Sequence, residues 1–357
     1  MTLPFLDSLP KIALALGLGA AGGFVADKLT IPLPWMLGPM IVCTIASVFG
    51  APVKGPLPLR PLMVTVLGVM LGSGFTPEML DRAGQWAISL SLLAVYVAVG
   101  CACCYPFFRR IAGYDRPTAY FAAMPGGLNE MMIVGKEMGG DDRRIVLTHA
   151  SRILLTVLTI PVLFRLTSEI DMTDRSRFGV GLGDVALQDY ILLGLCTLGL
   201  PIAKKLKIPA PMLVGPMIAS ATLHLSGVTS AQPPMLIVNT AQWVMGTIIG
   251  CRFAGTARAE VLRVIMMSVG STAILLAVTG AFALIIYAVG DIPIESAVLA
   301  YAPGGLAEMS LVALALGVDV AFVATHHVVR IIYVVIAAPL AYRKFAGDSA
   351  QPPPPDG

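Results

Sequence analysis

The sequence predicts an all-α polytopic membrane protein that is built from two homologous halves. Its 357 residues are 57% hydrophobic and only 13% charged, whereas roughly 25% of the residues of an average soluble domain are charged. Several apolar runs reach about 18 residues, which is enough to span the ~30 Å hydrocarbon layer of a bilayer. In addition, unusual motifs recur 177 or 178 residues apart along the chain.

This internal repeat is clearest in three pairs of stretches. Each pair keeps the order of its proline, glycine and large apolar residues. The pairs are IPLPWMLGPM at 31–40 with IPAPMLVGPM at 208–217, VLGVMLGSGF at 66–75 with VMGTIIGCRF at 244–253, and PGGLNEM at 125–131 with PGGLAEM at 303–309. So constant a register is the signature of an internal duplication.

The duplication predicts four parts in the chain. We expect a first membrane repeat at 8–166, a charged linker at 167–186, a second membrane repeat at 187–344 and a tail at 345–357. The tail is polar and rich in proline, and such a composition cannot bury enough apolar surface to fold. It is therefore predicted to be disordered.

Each half contains the same six apolar segments in the same order. In the first half they cover roughly 10–27, 32–50, 59–75, 85–108, 117–138 and 144–166. In the second half they cover roughly 188–203, 210–227, 234–251, 264–290, 295–316 and 320–342. The fifth segment of each half carries Pro-Gly-Gly, which breaks a helix, so we expect these two segments to be broken.

The prolines of IPLPWMLGPM and IPAPMLVGPM allow two interpretations. They could form a second broken element. Alternatively, Pro32 and Pro209 start helices that a later Gly-Pro pair kinks, and this interpretation is preferred.

The distribution of basic residues predicts that the halves are inverted. Lys and Arg favour cytoplasmic loops. In the first half they follow the second, fourth and broken segments, whereas in the second half they follow the first, third and last segments. Inversion requires an odd number of crossings, so we expect five crossings and one re-entrant Pro-Gly-Gly element in each half, with both termini cytoplasmic. Six crossings in parallel halves are the alternative.

The polar residues near the two broken segments are the candidate functional residues. Inverted repeats with broken helices near the midplane are typical of secondary transporters. The candidates for binding a solute or an ion are Pro125, Gly126, Gly127, Glu130, His149 and Arg152 in the first half, and Pro303, Gly304, Gly305, Glu308, His327 and Arg330 in the second. The arginines and helix N-termini would hold an anion, while the glutamates and histidines would titrate or accept a cation.

The glutamates and arginines also allow a purely structural interpretation. Glu130 lies 10 residues before Gly140 and Arg152 lies 12 residues after it, which is about 15 Å and about 18 Å of helix. Both side chains would then reach similar depths, and Glu130–Arg152 and Glu308–Arg330 could be buried ion pairs that hold each hairpin together.

Three further polar residues are interpreted as structural. Asp141 and Asp319 match across the halves and precede helices, which predicts N-caps. His326 has no counterpart in the first half, where Thr148 stands, and it is interpreted as a polar neighbour.

The six cysteines lie in or beside apolar segments, so neither a metal site nor a cofactor is expected.

The chain resembles the AbrB-type bacterial membrane protein family at PGGLNEM (125–131) and at APGGLAEMSLVALALGVDVAFVATHHVVRII (302–332). The resemblance covers nearly all of 10–345. Members are labelled as regulators of transcription or as ammonia monooxygenases. The resemblance implies a bacterial inner-membrane protein that is linked by name to gene expression, and it supplies no substrate and no catalytic residues.

The residues favour a carrier over both labels. No soluble basic module is present that would bind DNA, and four histidines spread over the chain are poor material for a redox metal site. We expect a non-enzymatic secondary transporter that moves a small anionic solute by alternating access, with H⁺ or Na⁺ as the coupling ion, and that affects gene expression indirectly. The alternatives are a membrane sensor without transport and a metal-dependent membrane enzyme. The sequence allows a homo-oligomer.

Overall fold

The structure is a computed structural model that describes residues 8–77, 84, 86–167, 179–290 and 292–346. The described residues form fifteen α-helices and short turns of 3₁₀-helix. The helices are α1 (Leu9–Lys28), α2 (Pro34–Val48), α3 (Arg60–Gly72), α4 (Trp86–Arg110), α5 (Arg116–Ala123), α6 (Leu128–Glu137), α7 (Asp142–Thr167), α8 (Leu187–Leu195), α9 (Gly199–Lys205), α10 (Pro211–Leu225), α11 (Met235–Gly250), α12 (Arg258–Gly290), α13 (Ile294–Tyr301), α14 (Leu306–Leu316) and α15 (Val320–Ala346).

The all-α prediction is therefore confirmed, and five helices are long and apolar enough to cross a membrane. These are α1, α4, α7, α12 and α15. Most of the predicted linker and of the predicted tail lies outside the described residues, at 168–178 and 347–357. The predicted disorder of the tail is thus not tested.

The chain forms two compact units, and each unit takes segments from both predicted halves. Unit 1 consists of Met1–Gly84, Val157–Arg258 and Ala307–Ala324. Unit 2 consists of Gln85–Thr156, Ala259–Leu306 and Thr325–Gly357. The boundaries of the two repeats stay a prediction, because compactness and duplication divide the chain along different lines.

Helices in unit 1 pack closely together at glycines, which have no side chain. A Cβ atom on Gly38 would collide with the backbone of Gly22, and one on Gly215 would collide with the backbone of Gly199. Gly68 of α3 meets the carbonyl oxygen of Leu213 in the same way. Helices can pack backbone to backbone only where small residues leave room.

The contact of α3 with α10 has a counterpart between α2 and α11, at residues 177 or 178 positions away along the chain. Gly246 of α11 lies against the carbonyl oxygen of Met36 in α2. Thus a helix of each predicted half packs on a helix of the other half.

The two IPxP stretches adopt the same unusual backbone. Leu33 and Ala210 have φ values of 50° and 50°, a left-handed conformation that a residue with a Cβ atom rarely adopts. The following helices begin at Pro34 and Pro211. The prediction that Pro32 and Pro209 start these helices is therefore wrong, because the left-handed residue delays each helix by two positions.

Hydrogen bonds in unit 1 tie each end of α1 to a different part of the chain. Near its first residue, Nζ of Lys54 donates to Oγ of Ser8 at 2.8 Å. Beyond its last residue, Nη1 of Arg165, near the end of α7, donates to the carbonyl oxygen of Thr30 at 2.8 Å. Arg165 therefore lies beside the end of α1 that is opposite to Leu9.

In unit 2 the first broken segment folds into a hairpin of α5 and α6. Asp115 caps α5 by accepting from the Thr118 amide at 2.8 Å. Oγ1 of Thr118 accepts from the Asp141 amide at 2.8 Å, so the two open ends of the hairpin meet. Asp141 in turn caps α7 by accepting from the Arg144 amide at 3.0 Å.

The cap predicted for the second half is present as well. In unit 1, Oδ1 of Asp319 accepts from the amide of Phe322 at 2.9 Å, in the first turn of α15. Both predicted aspartate caps are confirmed.

Candidate functional site

The first Pro-Gly-Gly break lies between α5 and α6. Gly126 and Gly127 have φ values of 145° and 61°, which residues with a Cβ atom rarely adopt, so glycine is needed for the turn. The break exposes two helix ends: the last carbonyls of α5 and the first amides of α6. A partial negative charge develops at the former and a partial positive charge at the latter.

Arg152 binds the carbonyl end of this break. Its Nη1 atom donates to the carbonyl oxygen of Met124 at 2.8 Å and to that of Ala122 at 3.5 Å. Its Nη2 atom donates to Nδ1 of His149 at 2.8 Å. A cation is favourable beside helix carbonyls, and the side chain of Arg152 is only 2% exposed.

Arg330 repeats this arrangement at the second break, between α13 and α14. Nη1 donates to the carbonyl oxygens of Ala302, at 2.5 Å, and Tyr301, at 3.4 Å. Nη2 donates to the carbonyl of Gly304 and to Nδ1 of His327, both at 2.9 Å. Arg330 is 1% exposed.

The two histidines use both ring nitrogens to hold the arginines. Nε2 of His149 lies 2.9 Å from the carbonyl oxygen of Phe121, and Nε2 of His327 lies 2.9 Å from that of Leu299. Because a carbonyl oxygen only accepts, each Nε2 carries the proton, and each Nδ1 is free to accept from arginine. These contacts orient Arg152 and Arg330, and the hypothesis that the histidines titrate or accept a cation stays a prediction.

The glutamates lie in the first turns of the helices that follow the breaks. A Cβ atom on Gly127 would be 3.4 Å from Oε2 of Glu130, so this carboxylate folds back over the start of α6. Glu308 accepts a hydrogen bond from its own backbone amide, near the start of α14. An acidic residue at this position stabilises the positive end of a helix.

The ion pair predicted between Glu130 and Arg152 does not form. Within the described part of unit 2, neither Arg152 nor Arg330 lies within ion-pair distance of a carboxylate. Backbone carbonyls bind Arg152 instead.

Glu308 has two basic neighbours in unit 1 that sequence reasoning missed. The carboxylate is 8% exposed and interacts electrostatically with Arg60 and Arg252. Both arginines were interpreted as loop charges. Their counterparts at the offset of the repeat are Val238 and Gly74, so the repeat pattern gave no signal for them.

The two buried arginines of unit 2 lie close to each other. Arg152 and Arg330 interact electrostatically with one another, and both interact with Tyr96 of α4. The Nε atom of each arginine is buried and makes no hydrogen bond within the described residues. Each of the two arginines therefore keeps one buried donor without a hydrogen-bond partner among the described residues.

Sequence reasoning also missed Tyr96 and Tyr301, which line up beside this pair of arginines. Their rings pack edge to face with centroids 5.1 Å apart, and the Tyr301 hydroxyl donates to the carbonyl of Ser89. Nε2 of His326 lies 2.9 Å from Oγ of Ser89, which agrees with its interpretation as a polar neighbour. Both tyrosines stand in apolar runs, where only the fold can single them out.

Metal ions in proteins are bound by histidine, cysteine and acidic side chains. Among the described residues, no group of three or more of these side chains is arranged to hold a metal ion.

Comparison with known proteins gives a consistent result. A protein of Bacillus subtilis (strain 168) named "Uncharacterized protein YhjN" is 28% identical over 94% of both chains. A protein of Escherichia coli (strain K12) named "Putative regulator AbrB" is 23% identical over 90% of this chain and 92% of its own. The family described as "Transition state regulatory protein AbrB" matches residues 35–346. With most of its length matched, the chain belongs to the AbrB family.

Proposed function

We propose that the protein is a secondary carrier that binds a small anionic solute between Arg152 and Arg330 and moves it by alternating access. The observation that carries the proposal is the proximity of two buried arginines that no carboxylate in unit 2 neutralises. Burying an unpaired charge is costly. The carbonyls that the arginines bind offset part of this cost, and a bound anion would offset more of it.

An inverted arrangement of the two halves is part of this proposal. Two observations favour it: Arg165 lies at the opposite end of α1 from Leu9, and the ends of the α5–α6 hairpin meet at Thr118 and Asp141, as a re-entrant element requires. An odd number of crossings in the first half follows if α1 spans the membrane. Such a half can be joined to an inverted copy of itself, the arrangement of many secondary transporters.

The orientation follows from the positive-inside rule. In unit 1, Lys54 lies beside the start of α1, and in unit 2, Arg143 lies 4.0 Å from Glu260 at the start of α12. We propose that these basic ends face the cytoplasm of a bacterial cell, that the protein is embedded in its inner membrane, and that both termini are cytoplasmic.

The two glutamates are the proposed sites for a coupling ion, either H⁺ or Na⁺. Each sits in the first turn after a break, where the chain has exposed helix ends, and ionisable groups within membrane segments commonly serve ion pathways. Glu308 is the stronger candidate because it is buried and has two arginine neighbours that protonation would release.

Uptake by the purified protein in liposomes tests the carrier. Labelled carboxylates, phosphate and sulfate would be offered under an imposed proton or Na⁺ gradient. Arg152→Gln and Arg330→Gln should each slow uptake at least about tenfold, because a hydrogen bond to a charged group contributes ~1.5–3 kcal/mol. Arg165→Gln, an exposed arginine with a bond to Thr30, is the matched control. Uptake that both site variants leave unchanged would exclude this site.

The name of the E. coli relative favours a second candidate, a membrane regulator that acts without transport. A carrier of a signal metabolite would also change gene expression, through the level of that metabolite. The two are separated by the liposome assay, since a regulator without transport moves no solute.

A further inference from the structure

Unit 2 contains a cavity of about 860 Å³ between α4, α5 and α15. Sites for organic ligands commonly measure about 300–1,000 Å³, so this space is large enough for more than an inorganic ion. Alanines at four-residue spacing make its walls: Ala94, Ala98 and Ala102 on α4, and Ala337 and Ala341 on α15. Residues four apart share one helix face, and their short side chains leave the space between the helices open.

The polar groups of the cavity are a single arginine and four tyrosines. Arg116, the first residue of α5, is the charged residue of the lining, and the tyrosines provide aromatic rings. These are Tyr105, Tyr120, Tyr333 and Tyr342, of which Tyr120 and Tyr333 donate their hydroxyls to backbone carbonyls. The rings of Tyr120 and Tyr342 lie with centroids 5.1 Å apart. Aromatic rings of this kind offer faces and edges on which another ring can pack.

The acidic neighbour of Arg116 is already engaged. Both Arg116 and Asp115 interact electrostatically with Tyr342. The Asp115 carboxylate accepts from the amide and the hydroxyl of Thr118, at 2.8 Å and 2.7 Å. The Asp115 carboxylate is thus held by Thr118, while the exposed guanidinium of Arg116 lines the cavity as its basic group.

The opposite end of the cavity reaches the first Pro-Gly-Gly break. Met124 lines the cavity, and its carbonyl oxygen accepts from Nη1 of Arg152. Arg116 and Met124 stand at the two ends of α5, so the cavity extends along the whole of this helix, about 12 Å. It thus connects an exposed arginine with the backbone that Arg152 holds.

We propose that this cavity is a binding site for an organic acid whose carboxylate is carried on an aromatic body. Arg116 binds the carboxylate, and the tyrosines and alanines pack against the ring. The inference goes beyond the carrier proposed above, whose anion site lies at Arg152 and Arg330, and concerns a different solute class, since neither phosphate nor acetate would use the apolar walls. The walls contribute affinity in proportion to the apolar area that the ring removes from water.

Direct binding to the purified full-length protein tests the site. Labelled phenylacetate and indole-3-acetate are the probes, and acetate and inorganic phosphate are the small comparators. Both aromatic acids should bind more tightly than acetate. Ala98→Trp and Ala337→Trp, which fill the cavity, should weaken their binding at least about tenfold, since even one misplaced methylene group is felt in a packed site. Arg116→Gln should weaken binding of the aromatic acids by a similar factor.

Matched variants guard against a general loss of structure. Ala87→Trp introduces the same side chain at an exposed position of α4 that does not line the cavity, and Arg110→Gln removes an exposed arginine from the same helix. Both should leave phenylacetate binding within about twofold of the unaltered protein. A thermal unfolding transition like that of the unaltered protein would show that the Ala98→Trp variant folds.

The possible outcomes separate this inference from the carrier. If acetate or phosphate is transported through Arg152 and Arg330 while aromatic acids do not bind, the inference fails and the carrier stands. If aromatic acids bind and Ala98→Trp abolishes binding while no solute is transported, the carrier fails and the site stands. Binding of oleate but not of the aromatic acids would identify the cavity as a lipid site and overturn the inference.

Discussion

Nε of Arg330 lies against the backbone of Gly126, although the two residues belong to different Pro-Gly-Gly sites. A Cβ atom built on Gly126 would be 3.2 Å from this nitrogen. The arginine that holds the second break therefore also packs on the first. This contact brings the two breaks together inside unit 2, so that residues of both breaks lie at the candidate anion site.

A methyl group at Gly126 should disturb the site. Gly126→Ala brings backbone strain, because φ is 145°, and it also crowds Nε of Arg330. We expect it to weaken anion binding about tenfold or more, since a displaced guanidinium loses hydrogen bonds to charged partners. Binding and thermal unfolding of the purified protein are the measurements.

Gly139→Ala is the matched control for Gly126→Ala. Gly139 also has a positive φ, 83°, but its Cβ atom would meet nothing within 4 Å. It should lose about 1 kcal/mol of stability through strain alone and keep its anion affinity. Equal binding losses in the two variants would argue that strain, and not the contact with Arg330, is responsible.

The hydroxyl of Thr118 should stabilise the α5–α6 hairpin. It donates to Asp115 and accepts from the Asp141 amide, so Thr118→Val removes two hydrogen bonds from a buried position. We expect a loss of ~1–3 kcal/mol, because each of the two hydrogen bonds contributes ~0.5–1.5 kcal/mol. Thr197→Val, which removes an exposed bond to Gly194, should change the free energy of unfolding much less. Similar unfolding curves for the two variants would contradict this assignment.

Glu308 should be coupled electrostatically to two arginines of unit 1. Glu308→Gln removes the interaction of this carboxylate with Arg60 and Arg252, and because both arginines are only half-buried, we expect a loss of at most ~1 kcal/mol. Adding Arg252→Gln should recover part of the loss. A double-mutant cycle of unfolding free energies measures the coupling, and strictly additive effects would mean that the two side chains do not interact.

The inverted arrangement predicts opposite accessibility for matching loops. In a protein whose six cysteines have been replaced, a cysteine at Arg143 and one at Val318 should react with a membrane-impermeant reagent from opposite sides. Arg143 precedes Arg144 near the start of α7, and Val318 stands before the start of α15. Labelling of both positions from the same side would favour parallel halves with six crossings.

The broken segments, the aspartate caps and the shared face of each histidine and arginine could all be predicted, because local rules govern them. Proline and glycine punctuate helices, and residues three apart, such as His149 and Arg152, share a helix face. The sequence does not reveal that these arginines bind carbonyls, because every residue offers a carbonyl and only the fold decides which ones are left without a helical partner.

The neighbours of Glu308 and the contact between Gly126 and Arg330 could not be predicted, for a related reason. Arg60 and Arg252 are distant from Glu308 in the chain, and the offset of the repeat does not connect them. The contact of Gly126 with Arg330 likewise joins two sequence motifs that each look complete alone. Long-range contacts of this kind leave no periodic trace in a single sequence.

The packing of Gly68 on Leu213 and of Gly246 on Met36 has a consequence for how the chain can be divided. Gly68 of the first predicted half packs on the backbone of the second, and Gly246 of the second packs on the backbone of the first. A half made alone would leave its glycine and the matching backbone surface uncovered. We therefore expect a fragment that contains only one half to fold less stably than the whole chain.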